Sequence, residues 1–122
     1  MTKVLVIDDE AVCALFLGNS LSQEGFDVRI ATRADEALEI AASFHPDVVI
    51  TDWMLKDAKD GIEVARQLRA GNLALKIIFI TGMAQEMLRQ QAAGLPYQAI
   101  VVKPIDVDEI LALLKDSHHG TT

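Results

Sequence analysis

The sequence predicts an α/β fold, with a parallel sheet covered by helices on both faces, and two observations support this. Short apolar runs that favour strand alternate five times with longer amphipathic segments that favour helix. The central run, residues 48–51, reads Val-Val-Ile-Thr and lacks the polar alternation of a half-exposed strand. Such a run is typical of a strand buried on both faces, and successive βα units give a parallel sheet.

Five strands are predicted, each from one apolar run. The second is the weakest because Asp27 and Arg29 interrupt it, a pattern typical of a strand at a sheet edge. The predicted strands span residues 4–7, 26–30, 48–51, 77–80 and 99–102.

Five helices are predicted between and after these strands. Thr32 is the expected N-cap of the second helix, which should end before His45-Pro46 because the residue before a proline disfavours helix. Gly94 is the expected C-terminal stop of the fourth helix. The predicted helices span residues 11–21, 33–44, 61–70, 83–93 and 107–114.

Length and composition indicate one globular domain. The chain has 122 residues, of which 51% are apolar, so we expect a single domain over 1–122, with a core of about 3–115 and a polar tail. A net charge of −7 argues against a nucleic-acid groove or an anionic membrane as direct partner. The single cysteine, Cys13, excludes an internal disulfide. Without a signal peptide or membrane-spanning run in the sequence, we expect a cytoplasmic domain.

Polar side chains follow four of the five predicted strands. Because the carboxyl ends of parallel strands share one edge of the sheet, these side chains should converge. Three carboxylates close together need a cation, and Mg²⁺ prefers a few carboxylates with water and a phosphate oxygen. A lysine ammonium suits phosphate, and a threonine hydroxyl can donate to another phosphate oxygen. The converging residues are Asp8 and Asp9 after the first strand, Asp52 after the third, Thr81 after the fourth and Lys103 after the fifth.

Four motifs in this order and spacing make the chain resemble the receiver domain of two-component response regulators. Each motif alone is weak, because an apolar run that ends in two aspartates is common. Together they extend the resemblance from about Lys3 to Lys115. The motifs are Val4-Leu5-Val6-Ile7-Asp8-Asp9-Glu10, the strand that ends at Asp52, Ile80-Thr81-Gly82 and Val102-Lys103-Pro104-Ile105.

The resemblance implies a flavodoxin-like (βα)5 fold with strand order 2-1-3-4-5. It also implies a signalling domain rather than an enzyme, with Asp52 as the phosphoacceptor in a Mg²⁺-dependent reaction. Lys103 would pair with the acyl phosphate, Thr81 would move to bond it, and the bond before Pro104 would be cis. The implied Mg²⁺ ligands are Asp8, Asp9, Asp52 and the backbone carbonyl of Met54.

The implied partners are proteins. A histidine kinase or histidine phosphotransfer protein would donate the phosphoryl group, and a downstream protein target would respond. The first helix is apolar around most of its circumference. If Cys13, Leu17 and Leu21 face the core, an outward face of Ala11, Leu15 and Gly18 is expected to be a docking surface for a helical kinase or phosphotransfer protein. We expect no direct nucleic-acid or membrane contact, and a monomer or weak homodimer. The chain would act by binding or be part of a longer hybrid protein.

The loop after Asp52 departs from the family pattern. Lys56 stands where proline is common, and the Asp60-Gly61 turn arrives one residue later than in the commonest spacing. Met54 and Met83 stand where many receivers have a polar side chain that guides water. Because thioethers accept hydrogen bonds only weakly, slow hydrolysis of the acyl phosphate is expected.

Two other function classes stay open. A phosphorylation-independent pseudo-receiver is favoured by the unusual loop after Asp52. Ile100 stands at the usual aromatic switch position, with Tyr97 three residues earlier, so the coupling of Thr81 to an aromatic side chain departs from the family pattern. An aspartyl-phosphate phosphatase would use the same Asp, Lys and Mg²⁺. Such enzymes usually have a second acid two residues after the nucleophile, where this chain has Met54.

Overall fold

The computed structural model describes residues 1–53, 55, 61–82 and 85–119, without the side chains of 85 and 116–119. None of the helices in these ranges is long and apolar enough to cross a membrane. The strands are β1 (Lys3–Ile7), β2 (Asp27–Ala31), β3 (Val48–Asp52), β4 (Lys76–Thr81) and β5 (Ala99–Val102). The helices are α1 (Ala11–Gln23), α2 (Ala34–Phe44), α3 (Gly61–Gly71), α4 (Gln85–Gln91) and α5 (Val107–His119).

All five strands run parallel, in the order β2-β1-β3-β4-β5. This is the flavodoxin-like order, so the predicted fold is confirmed. β2 lies at an edge, as its charged residues predicted. β3 lies at the centre, and each of its five residues is buried.

Apolar side chains that alternate along the strands form two clusters, one on each face of the sheet. Leu5 and Phe79 belong to the cluster that packs against α2, α3 and α4. Val6 and Ile78 belong to the cluster that packs against α1 and α5. Because helices cover both faces, the central strands have no exposed side and their sequences are continuously apolar.

The prediction for the orientation of α1 was partly wrong. Leu17 and Leu21 are buried as expected, but Cys13 is only half-buried. Gly18, expected to face outward, is buried against β2, where an added Cβ would lie 2.5 Å from the Cδ1 atom of Ile30. Since α1 is apolar nearly all round, its hydropathy pattern does not reveal which side faces the sheet.

Helix ends also differ from the predictions, with α1 and α3 extending to Gln23 and Gly71. Arg33, not Thr32, is the N-cap of α2, and the Glu36 carboxylate accepts the backbone N–H of Thr32 at 2.8 Å. α4 ends two residues earlier than predicted, and α5 extends to His119, inside the segment predicted as a tail. Local hydrogen bonds set such boundaries, and sequence patterns place them least reliably.

Candidate functional site

The polar residues that are buried in the described part of the chain all lie at the carboxyl end of the sheet. Backbone pairing places their strands side by side. The N–H of Trp53 donates to the carbonyl of Ile80 at 3.0 Å, and that of Lys103 donates to the carbonyl of Thr81 at 2.8 Å. The buried polar residues are Asp8, Thr51, Asp52 and Thr81, each no more than 7% exposed.

The Lys103 ammonium contacts three carboxylates at this edge. Its Nζ atom lies 2.8 Å from Oδ2 of Asp52, 3.0 Å from Oε1 of Glu10 and 3.4 Å from Oδ2 of Asp8. An ammonium has three N–H donors, so three acceptors match its capacity. The Lys103 side chain is 19% exposed. Water and salt therefore screen these contacts less than they screen ion pairs on the surface.

Burial and charge oppose each other in this cluster. Burial has the largest effect on Asp8 and raises the pKa of its carboxyl above 3.8, although the Lys103 charge opposes the rise. Burial alone would lower the pKa of Lys103, but its hydrogen bonds to Asp52 and Glu10 outweigh that effect. The pKa of Lys103 therefore lies above its ordinary 10.5, and the residue is a cation throughout the physiological range.

Three acids at this edge form a donor set suited to a hard divalent cation. One carboxylate oxygen from each of Asp8, Glu10 and Asp52 lies within 4.8 Å of the other two. Oxygen ligands of this charge fit Mg²⁺. Among the described residues, Asp9 lies outside this group and is half-buried, while the predicted carbonyl ligand, Met54, lies outside the described residues.

The backbone around Asp52 is held by close contacts. The Thr51 hydroxyl donates to the Asp52 carbonyl oxygen at 2.9 Å, and the Gly61 N–H donates to the Trp53 carbonyl oxygen at 2.8 Å. A Cβ added to Gly61 would lie 2.0 Å from the Asp52 carbonyl oxygen. Only glycine lets α3 begin this close to the end of β3.

Thr81 and the two residues near the usual aromatic switch position, Tyr97 and Ile100, lie in different environments. Thr81 ends β4 next to β5 and is 3% exposed. Tyr97 packs edge-on against Phe79, with ring centroids 5.7 Å apart, and both Tyr97 and Ile100 contact the cluster that contains Phe79. The Lys103–Pro104 bond is cis, as the resemblance implied.

Two features of the site escaped sequence reasoning. Glu10 belongs to the first motif, but the sequence predicts no role for it in the site. Its one signal is that glutamate, which is not a usual N-cap residue, directly precedes α1. The exposed face of α1 contains Val12 and Phe16 beside Leu15, with exposures of 81%, 57% and 53%. We call these three residues the α1 surface.

Comparison with known proteins identifies the family. The model of the response regulator receiver domain matches residues 4–115. Response regulator MprA of Mycolicibacterium vanbaalenii is 36% identical over 122 residues, which cover 98% of this chain and 52% of that protein. Response regulator ArlR of Staphylococcus saprophyticus is 38% identical over 117 residues, covering 94% and 51%. This chain thus spans about half the length of these curated relatives.

A solved structure agrees on the fold. The crystal structure of a response regulator receiver domain protein from Clostridium thermocellum matches with a TM-score of 0.90, at 23% identity. The match covers 99% of this chain and 97% of that one. This chain belongs to the receiver domain family of response regulators, the signalling domains of two-component systems.

Proposed function

We propose that Asp52 accepts a phosphoryl group from the phosphohistidine of a histidine kinase or histidine phosphotransfer protein. The observation that supports this most directly is the 2.8 Å contact between the Lys103 ammonium and Asp52 at a buried edge. A carboxylate oxygen of Asp52 attacks phosphorus, the P–N bond breaks, and its electron pair leaves on the imidazole nitrogen. Phosphoryl transfer depends mainly on positioning and electrostatics, which this edge supplies.

Lys103 and Thr81 act on the product of this transfer. Formation of the acyl phosphate removes the Asp52 charge and brings a phosphoryl group with its own negative charge. The Lys103 ammonium then pairs with a phosphoryl oxygen, and the Thr81 hydroxyl moves to donate to another. Moving one buried hydroxyl at the end of β4 biases the domain between two arrangements.

Carboxylate oxygens at this edge suit Mg²⁺. The ligands proposed to hold it are the four that the family resemblance implies, namely Asp8, Asp9, Asp52 and the backbone carbonyl of Met54, of which Asp8 and Asp52 belong to the three-acid cluster. When bound, the ion offsets the charge of the carboxylates and of the transferring phosphoryl group. Asp8 supports this assignment because its carboxyl group is buried and burial raises its pKa. A bound cation would favour the charged form and offset that effect.

The α1 surface is the proposed docking site for the phosphodonor. Val12, Leu15 and Phe16 form an exposed apolar stripe on the helix that begins beside Glu10. Such a stripe suits a helical partner, and docking there brings the partner's histidine towards Asp52. We place the domain in the cytoplasm, with a downstream protein as the receiver of the signal. The domain promotes its own phosphorylation and dephosphorylation and turns over no separate substrate.

The test is phosphorylation by a small donor. Purified wild-type protein, Asp52→Asn and the control Asp47→Asn are incubated with acetyl phosphate and Mg²⁺, and intact mass is measured. Asp47 lies just before β3, at the opposite end of the strand, and is exposed. We expect one phosphoryl group on the wild type and on Asp47→Asn, and none on Asp52→Asn.

Other outcomes identify the competing classes. Continuous release of phosphate with multiple turnovers would indicate a phosphatase, and no modification would indicate a pseudo-receiver. Trp53 is the single tryptophan of the chain and directly follows Asp52. Its fluorescence therefore gives a second measurement, a titration with Mg²⁺ alone, in which Asp52→Asn should weaken the response.

A further inference from the structure

Glu10 has a side chain that its own helix does not use. It occupies the N-cap position of α1 but makes no side-chain capping hydrogen bond. Serine, threonine, aspartate and asparagine are the usual N-cap residues, because their short side chains reach the first free N–H groups. The Glu10 carboxylate instead extends to Lys103, 93 residues away along the chain, and contacts its ammonium at 3.0 Å.

Among the described carboxylates that contact Lys103, that of Glu10 is the most accessible to water. Its side chain is 58% exposed, compared with 10% for Asp52 and 2% for Asp8. A hydrogen bond to an exposed carboxylate is easily exchanged for one to another anion, because water solvates the group that is released. Glu10 is therefore the acceptor that Lys103 can give up when a phosphoryl group arrives.

We propose that Glu10 is a positioning residue that holds the Lys103 ammonium while Asp52 is unmodified and competes with the incoming phosphoryl group for it. This inference rests on the proposed phosphorylation of Asp52. Glu10 places a negative charge within 4.8 Å of an Asp52 oxygen, so it also repels an anionic phosphodonor. Through both effects, Glu10 slows phosphorylation that is not directed by a bound partner.

The test compares two glutamates at opposite ends of α1. Glu10→Gln removes the charge at the site and keeps the side-chain shape. Glu24→Gln makes the same change of net charge at the exposed C-cap, away from the site. The measurement is the initial rate of phosphorylation by acetyl phosphate with Mg²⁺, at low and at high ionic strength.

We expect Glu10→Gln to be phosphorylated about three- to tenfold faster than wild type at low salt, the scale for removing one partly screened charge nearby. Glu24→Gln should match the wild type. The advantage of Glu10→Gln should shrink as salt rises, because salt screens the charge that the wild type retains. A purely structural role for Glu10 would not give this salt dependence.

Two results would overturn the inference. Equal phosphorylation rates for Glu10→Gln and Glu24→Gln would show that Glu10 does not compete with the phosphoryl group for Lys103. A slower Glu10→Gln with a weaker Trp53 response to Mg²⁺ would show that Glu10 helps to hold the metal instead. If the wild type takes up no phosphate, the proposed function fails first and this inference fails with it, whereas a phosphorylated wild type separates the two.

Discussion

The two ends of the same sheet differ in how they treat polar groups. At the carboxyl end, Asp8, Asp52 and Thr81 are buried and Lys103 is nearly so. At the amino end, Asp47 and Lys76 are exposed, and Asp47 accepts the backbone N–H of Lys3 at 2.8 Å in contact with water. The two ends therefore differ in the burial of their polar side chains.

At the carboxyl end, the polar groups that form the candidate site are buried at a cost in stability. Burying a carboxylate is unfavourable unless a cation and hydrogen bonds compensate for it, as Lys103 does only in part for Asp8. The amino end avoids that cost because water solvates its charges. Substitutions at the carboxyl end should therefore change stability more than matched substitutions elsewhere. Three substitutions with matched controls test this: one beside the Asp52 backbone and two that remove a charge from the cluster.

The largest effect is expected from Gly61→Ala. The new Cβ would collide with the Asp52 carbonyl oxygen at 2.0 Å, so β3 or the start of α3 must shift. We expect a loss of about 2–3 kcal/mol in the free energy of unfolding and a phosphorylation rate lower by about tenfold or more, because small displacements of a reacting group are costly. Urea unfolding and acetyl phosphate labelling measure the two effects.

Gly71→Ala is the control for this substitution. It lies at the other end of α3, where an added Cβ meets nothing within 4 Å. Its phosphorylation rate should match that of the wild type, and its unfolding free energy should be equal or higher by up to about 1 kcal/mol, because alanine has fewer conformations to lose on folding. If Gly61→Ala behaved like Gly71→Ala, the close approach of α3 to Asp52 would have no energetic consequence.

Lys103→Met is expected to have the next largest effect. It leaves Asp8 and Asp52 without their shared cation, which should cost about 2 kcal/mol at neutral pH, below the range for fully buried pairs because Lys103 is 19% exposed. The control Lys76→Met, at the exposed amino end, should change stability by less than about 0.5 kcal/mol. Equal losses for the two variants would contradict the proposed difference between the ends.

The pH dependence of Lys103 follows from its raised pKa. A lysine whose pKa is higher in the folded state contributes its full stabilisation below the unfolded value of 10.5. That contribution is lost as pH rises through the folded value. The difference between wild type and Lys103→Met should therefore be constant from pH 7 to about pH 9 and shrink in strong alkali.

The sequence predicted which strand ends form this site but not the direction of each side chain. Apolar runs located the strands, and the rule for parallel strand ends brought Asp8, Asp52, Thr81 and Lys103 to one edge. The direction of an individual side chain is a tertiary property. Glu10 turns towards Lys103 because two elements far apart in sequence meet, and no local pattern encodes that meeting.

The misassigned side of α1 has a related cause. A helix that is apolar nearly all round gives no hydropathy signal for its buried side. Gly18 is buried because the absence of a side chain lets α1 approach Ile30, whereas Phe16 is exposed despite its apolar ring. Packing against specific neighbours determined the burial of both residues, and hydropathy predicted neither.

The smallest expected effect, and the one of opposite sign, is from Asp8→Asn. Burial raises the pKa of Asp8, so its charged form destabilises the fold, and the neutral amide should raise the unfolding free energy by about 1 kcal/mol at pH 7. The amide oxygen can still accept the Glu10 N–H, which donates to Oδ1 of Asp8 at 2.9 Å in the wild type.

The control and the pH profile make the Asp8→Asn prediction sharp. The penalty of the wild-type carboxylate is full above its folded pKa and disappears as pH falls towards 3.8, because the protonated acid is neutral in both states. The gain of Asp8→Asn should shrink accordingly, while Asp47→Asn should stay within about 0.5 kcal/mol of wild type across that range.

In the Lys103→Met background the gain in unfolding free energy from Asp8→Asn should grow, since the carboxylate of Asp8 then lacks its nearby cation. A destabilised Asp8→Asn at pH 7 would mean that the ion pair with Lys103 outweighs the cost of burial, and that the carboxyl end is stabilised by its charges in spite of their burial.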